Sequence, residues 1–138
     1  EKKQLADLLQ AWVQASGLIH ERRLFLDAAT DELRGEDRVR PQEAPAPHAR
    51  RIAQFAVRFH LQPGVRAELV DEPRGVLLKG PSNTGWQLRS DAAEMAVEPS
   101  LHLSGGRPRR TLQVVLRGLI GPDRTGRIRW KMSAAEGS

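Results

Sequence analysis

Residues 54–70 read "QFAVRFHLQPGVRAELV", and apolar and polar side chains alternate along them almost without a break. Successive side chains of an extended chain point to opposite faces. Phe55, Val57, Phe59 and Leu61 therefore share one side, and Arg58 and His60 the other. Four apolar residues at period two mark a strand with one buried face. Gln62-Pro63-Gly64 then predicts a tight turn, with Pro at the first central position and Gly supplying a positive φ. Residues 65–70 read as a returning strand. The polar side is either a binding surface or the wet face of a sandwich.

The same alternation recurs on both sides of this stretch. Upstream, residues 18–26 (LIHERRLFL) read as a strand with mixed faces, Asp27 to Asp31 as a turn, and residues 32–39 (ELRGEDRV) as the return strand, with Gly35 predicting a bulge. Residues 40–50 hold three prolines and read as a loop. Downstream, residues 74–79 and 86–90 are short strands, and residues 94–106 give one or two more, interrupted at Pro99. Residues 109–120 form a long strand with Leu112, Val114 and Leu116 facing in and Thr111, Gln113, Val115 and Arg117 facing out. In residues 127–132, Ile128, Trp130 and Met132 alternate with Arg127, Arg129 and Lys131. Residues 3–13 differ: Leu5, Leu8, Leu9, Trp12 and Val13 recur at helical spacing, and Gly17 ends the pattern.

Nine or ten short strands with no βαβ rhythm predict a mainly β chain, folded as an antiparallel β-sandwich with a short N-terminal helix. The expected organisation is a helical extension over residues 1–16, a sandwich over 17–132 and a tail over 133–138. At 138 residues the chain suits one core. No run approaches the roughly 18 apolar residues of a membrane span, so no membrane partner is expected. The chain opens Glu-Lys-Lys-Gln, a start without Met that is expected of a processed chain or a fragment. With no Cys it has neither disulfides nor thiolate metal sites, and this absence does not fix its compartment.

The net charge is +5, and 18 of the 22 basic residues are Arg. Arginine's planar fork suits carboxylate, sulfate and phosphate, so an acidic partner is one reading; interleaved acids that neutralise the arginines are the other. Arg22, Arg58, His60, Arg117, Arg127 and Arg129 lie on strands beside apolar residues, and Arg107, Arg109 and Arg110 sit in the basic stretch 104–110. These nine are the candidate anion- or glycan-binding residues, and they make one cationic surface if their strands adjoin. Only six aromatics are present, too few to stack single-stranded bases, so no nucleic-acid partner is expected. No pair among His20, His48, His60 and His102 has zinc-motif spacing, and no metal or cofactor is expected. There is no G-x-S-x-G elbow and no Tyr. Glu36 and Asp37 are neighbours on a strand and point apart, so they do not make an acid–base pair. No catalytic residue is assigned.

The blocks "GLIHERRLFLDAATDELRGEDRV", "FAVRFHLQPGVRAEL", "GWQLRS", "PSLHLSGGRPRRTLQVVLRG" and "IRW", in this order over about residues 12–132, resemble the C-terminal β-sandwich of heparinase II/III-like proteins, the bacterial branch above all. Residues 1–11 look unlike the family. The resemblance implies a parent polysaccharide lyase that cleaves uronate-containing glycans by β-elimination: a base takes the proton α to the carboxylate, a polar or positive group stabilises the developing charge, and an acid protonates the leaving oxygen. It also implies a helical toroid that carries much of this machinery. The expected partners are that toroid and the upstream sandwich strands, with acidic polysaccharide a further one. The chain itself is then an inactive accessory segment whose uncovered edges favour self-association or capping by residues 3–13. A free-standing carbohydrate- or anion-binding module is the alternative, and an enzyme whose site is completed by a separate chain is a third reading.

Overall fold

The computed structural model describes residues 18–42, 54–82 and 84–135. The helix expected over residues 3–13 lies outside them. Nine strands follow one another: β1 (Leu18–Asp27), β2 (Glu32–Pro41), β3 (Gln54–His60), β4 (Arg66–Asp71), β5 (Arg74–Lys79), β6 (Gly85–Ser90), β7 (Glu94–Ser104), β8 (Arg107–Leu119) and β9 (Gly126–Ala134). They form two antiparallel sheets, one of six strands in the order β1-β2-β9-β6-β5-β4 and one of three in the order β3-β8-β7. The expected mainly β, antiparallel sandwich is what the described residues show.

The dry layer between the sheets is supplied by the alternating apolar positions. Phe55 and Val57 of β3, Met95 of β7 and Val114 and Leu116 of β8 meet Val39, Val76, Leu78, Leu88, Ile128 and Trp130 of the larger sheet. Phe55 and Trp130 are almost fully covered, and Phe59 is half-buried with its ring edge-on to Trp130 at 5.0 Å. Phe55 sits so close to β9 that a Cβ on Gly126 would lie 2.7 Å from its ring. Removing such a large apolar surface from water is the main driving force here, worth about 25 cal/mol per Å².

Four expectations need correction. The Gln62-Pro63-Gly64 turn forms, with Val65 N donating to Gln62 O at 3.2 Å and Gly64 at φ 86°. It does not close a hairpin, however: β3 pairs with β8 and β4 with β5, so the turn carries the chain from one sheet to the other. Period-two burial marks both strands but cannot say which neighbour each one takes. Gly35 is not a bulge. The β1–β2 register runs unbroken from Leu18↔Pro41 to Asp27↔Glu32, and Gly35 is there because a Cβ would lie 2.1 Å from Trp130 Cζ2. Pro99 does not interrupt residues 94–104, which form one strand. β7 is an edge strand, where a missing N–H is tolerated, and Pro99 O accepts a bond from Gln113 Nε2 at 3.0 Å. Val115, on the outward side of β8, is fully buried between Arg58 and Ala96, its neighbours across the strands.

Candidate functional site: a basic groove on the larger sheet

The registers place the functional side chains in cross-strand rows. On the outward face of the larger sheet, Phe25 lies opposite Arg34, Arg34 opposite Lys131, and Lys131 opposite Arg89. The next row is Arg23, Glu36 and Arg129, and the one beyond is Glu21, Arg38 and Arg127. Like charges directly opposite one another on neighbouring strands repel. Three cations in a row on β2, β9 and β6 are therefore an arrangement that stability alone does not favour.

Nearby carboxylates neutralise only part of this charge. Glu32 reaches Arg34 at 3.2 Å and Lys131 at 3.6 Å; Glu36 reaches Arg38 at 3.2 Å and Arg129 at 3.6 Å; Glu21 accepts from Arg40 Nε at 2.9 Å. Arg23, Arg89 and Arg127 make no ion pair among the described residues. Arg89 gives Nη2 to Gln87 Oε1 at 3.2 Å, and its Nε is buried without a partner. A groove of about 680 Å³ runs along these rows, lined by Arg23, Phe25, Arg34, Arg89, Arg129 and Lys131, together with Asp91. Asp91 is occupied there: its carboxylate accepts from Arg129 N at 2.8 Å. The exposed ring of Phe25 gives the groove an apolar wall beside its cations. Chemically, the groove offers guanidinium forks and an aromatic edge to an extended anionic ligand.

The nine sequence candidates do not come together as one surface. Arg127 and Arg129 belong to the groove face. Arg58, His60 and Arg117 are on the outward face of the three-stranded sheet, on the other side of the sandwich. There they are largely satisfied: Arg117 binds Glu98 at 2.7 Å and Glu94 at 3.5 Å, Arg58 binds Glu98 at 3.4 Å, and His60 Nδ1 shares a hydrogen bond with Ser100 Oγ at 2.8 Å. The hydrogen bond from Arg117 holds the Glu98 carboxyl below its ordinary range, against a weaker opposing effect of desolvation. Arg107, Arg109 and Arg110 lie on the exposed β7–β8 hairpin, where they form no ion pair among the described residues. Arg22 points inward. The pleat and the division of strands between two sheets separate residues that the sequence presents as alike. Sequence reasoning missed Arg23, Arg34 and Arg89 of the groove; the alternation that placed Arg127 and Arg129 applies to them equally, but the strand order β1-β2-β9-β6 that joins them is a tertiary fact.

The interior holds a second polar cluster. Asp37 is fully buried. Its Oδ1 accepts from Arg22 Nε and His20 Nε2, both at 2.7 Å, and its Oδ2 from Trp130 Nε1 at 2.9 Å. Burial alone would raise this carboxyl's pKa, but the hydrogen bonds from His20, Arg22 and Trp130 and the charge of Arg22 outweigh it and hold the group below its ordinary range. Arg22 also lies over the Phe59 ring at 5.6 Å from its centre, so the cluster ties β1, β2 and β9 to the opposite sheet. With both oxygens engaged, Asp37 is a bolt between strands. No group of three or more His, Asp or Glu suited to a metal ion occurs among the described residues.

A two-layer antiparallel sandwich with one basic, grooved face is thus the scaffold that the sequence resemblance has to match. The family model described as "Heparinase II/III-like, C-terminal" matches residues 2–131, and the chain belongs to that family. The match takes in residues 2–11, which corrects the expectation that residues 1–11 are unlike the family. The chain is also similar to FtsZ-localized protein C of Caulobacter vibrioides, 48% identical over 124 residues. That alignment covers 88% of this chain and 22% of the relative, so the chain spans about a fifth of the length of the curated protein it matches. No solved structure matches it.

Proposed function

We propose that the chain is a non-catalytic accessory sandwich of a heparinase II/III-like protein, and that it holds acidic polysaccharide on the basic face of its six-stranded sheet. The observation that carries this reading is the row Arg34–Lys131–Arg89, three cations directly opposite one another with a single carboxylate, Glu32, between the first two. Repulsion within the row is relieved when an anion lies across it, and uronate or sulfate oxygens fit the guanidinium forks. The carboxylates of this chain serve other purposes: Asp37 is locked by three donors, and Glu94 and Glu98 are tied to Arg117. These ties support a scaffold role and leave any β-elimination to the remainder of a longer protein, the helical toroid that the family likeness implies.

Retardation of the protein on immobilised acidic polysaccharide tests the binding half of this reading. Binding is expected at low salt and is expected to weaken as salt screens the charges. Changing Arg34, Arg89 and Lys131 together to Gln should abolish it, and retention equal to wild type in that variant would overturn the assignment to the groove. Release of unsaturated uronate product, followed by its absorbance, would overturn the non-catalytic half.

The likeness to FtsZ-localized protein C favours a second reading, in which this chain works in a protein that localises with FtsZ. A fluorescent fusion imaged against labelled FtsZ is expected to overlap it; fluorescence spread independently of FtsZ would reject the reading.

A further inference from the structure

Among the described residues β1 is an edge strand: one side pairs with β2 over its whole length and the other pairs with nothing. Long edges with free N–H and C=O groups are templates for another strand. This one is unbroken over 10 residues, and Arg22 to Leu26 are all exposed, including the large apolar side chains of Leu24, Phe25 and Leu26.

The outward-facing positions of β1 are Ile19, Glu21, Arg23 and Phe25. Read backwards, the series becomes Phe, Arg, Glu, Ile. Set against itself in antiparallel order with Arg22 opposite its own copy, the strand brings Glu21 opposite Arg23 twice and Ile19 opposite Phe25 twice. On the inward side, Leu18 then meets Leu26, and His20 meets Leu24. This register also sets Arg22 opposite Arg22, but that charge is paired within its own chain by Asp37 at 2.7 Å. A shift of two residues either way places Arg23 opposite Arg23, with no such acid beside it, or Glu21 opposite Glu21, which repel. Arg23 has no ion pair among the described residues, and Glu21 retains exposed surface beyond its bond to Arg40.

We infer that β1 is a self-complementary edge through which two copies of this chain pair antiparallel about a twofold axis at Arg22, joining their six-stranded sheets into one. The symmetry is the ordinary one for a homodimer, in which the same patch serves both partners. The pairing covers the exposed Leu24 and Leu26 and sets the two basic grooves side by side on one continuous face. It does not depend on what the grooves bind.

Sedimentation equilibrium of the protein tests the pairing. Wild type is expected to form a concentration-dependent dimer. Glu21→Arg and Arg23→Glu should each lose the dimer while keeping the wild-type circular dichroism spectrum. Mixed in equal amounts, the two variants should recover it as a heterodimer, because one then carries only cations and the other only anions at the facing positions. The chain has no Cys, which permits a second readout. Glu21→Cys and Arg23→Cys should oxidise together to a heterodimeric disulfide, and each alone should cross-link far less. A wild type that stays monomeric at its highest soluble concentration would overturn the inference. So would a mixture of the charge variants that stays monomeric, or recovery of the Arg23→Glu variant by Asp27→Arg in place of Glu21→Arg.

Discussion

The two faces of the six-stranded sheet treat cations in opposite ways. Inward, one fully buried carboxylate, Asp37, is held by Arg22, His20 and Trp130, so that both of its oxygens are engaged and its charge is paired. Outward, Arg34, Lys131 and Arg89 stand in a row, and Arg23 and Arg127 nearby have no ion pair among the described residues. The difference lies in water. A buried charge that loses its partner costs several kcal/mol, so the inner cluster has to be closed. Surface charges are screened, and a surplus of one sign can persist there at little cost to stability, available to a ligand.

Substitutions on the two faces should therefore separate stability from binding. The largest effect is expected from Asp37→Ala, which leaves Arg22, His20 and Trp130 without their acceptor. Breaking a buried pair costs about 3–5 kcal/mol, and the lower end applies because the Arg22 side chain is 37% exposed. Urea denaturation measures it, and a loss as small as that of a surface substitution would show that the cluster is not a bolt. Gly35→Ala comes next. Its methyl group would overlap the Trp130 ring, and overpacking of this kind costs about 1–3 kcal/mol; a lowered Tm with changed tryptophan fluorescence is expected.

Acid should discriminate the faces more finely. The native Asp37 carboxyl titrates below its ordinary value of 3.8, so its contribution to stability is fully present above that value and is lost as pH falls through the lower native one. Melting temperature should drop in this window for wild type and more shallowly for Asp37→Asn, and parallel curves would contradict the assignment. The smallest effect on stability is expected from Lys131→Gln in the outer row, within about 0.5 kcal/mol as for other surface changes. Its retention on acidic polysaccharide should nonetheless fall. A variant that loses stability and keeps retention would reverse the comparison.

Much of the fold is legible in the order of residues. Phe55 and Val57, Val114 and Leu116, and Ile128 and Trp130 recur at period two, and each of these apolar side chains is buried in the core. The Pro63-Gly64 turn is equally plain, because only a few residue types fit its geometry. The sites were harder to read. Arg58 and Arg117 have the same alternating context as Arg127 and Arg129, yet Glu94 and Glu98 of β7 neutralise the first pair, and only the strand order β3-β8-β7 brings Arg58 within reach of Glu98. Asp37 gave no signal beyond sharing a face with Leu33 and Val39, because its partners Arg22 and Trp130 reach it only through strand pairing.

By itself, the sequence determined the extended segments, the side of each that is dry, and the turns between many of them, since these follow from local backbone geometry and from the removal of apolar surface from water. Tertiary structure alone decided which strands became neighbours. That choice made Gly35 a seat for Trp130, carried the Gln62-Pro63-Gly64 turn from one sheet to the other, and aligned Arg34, Lys131 and Arg89. Strand partners are selected by long-range packing and hydrogen bonding between segments, and alternation along any one segment carries no record of them.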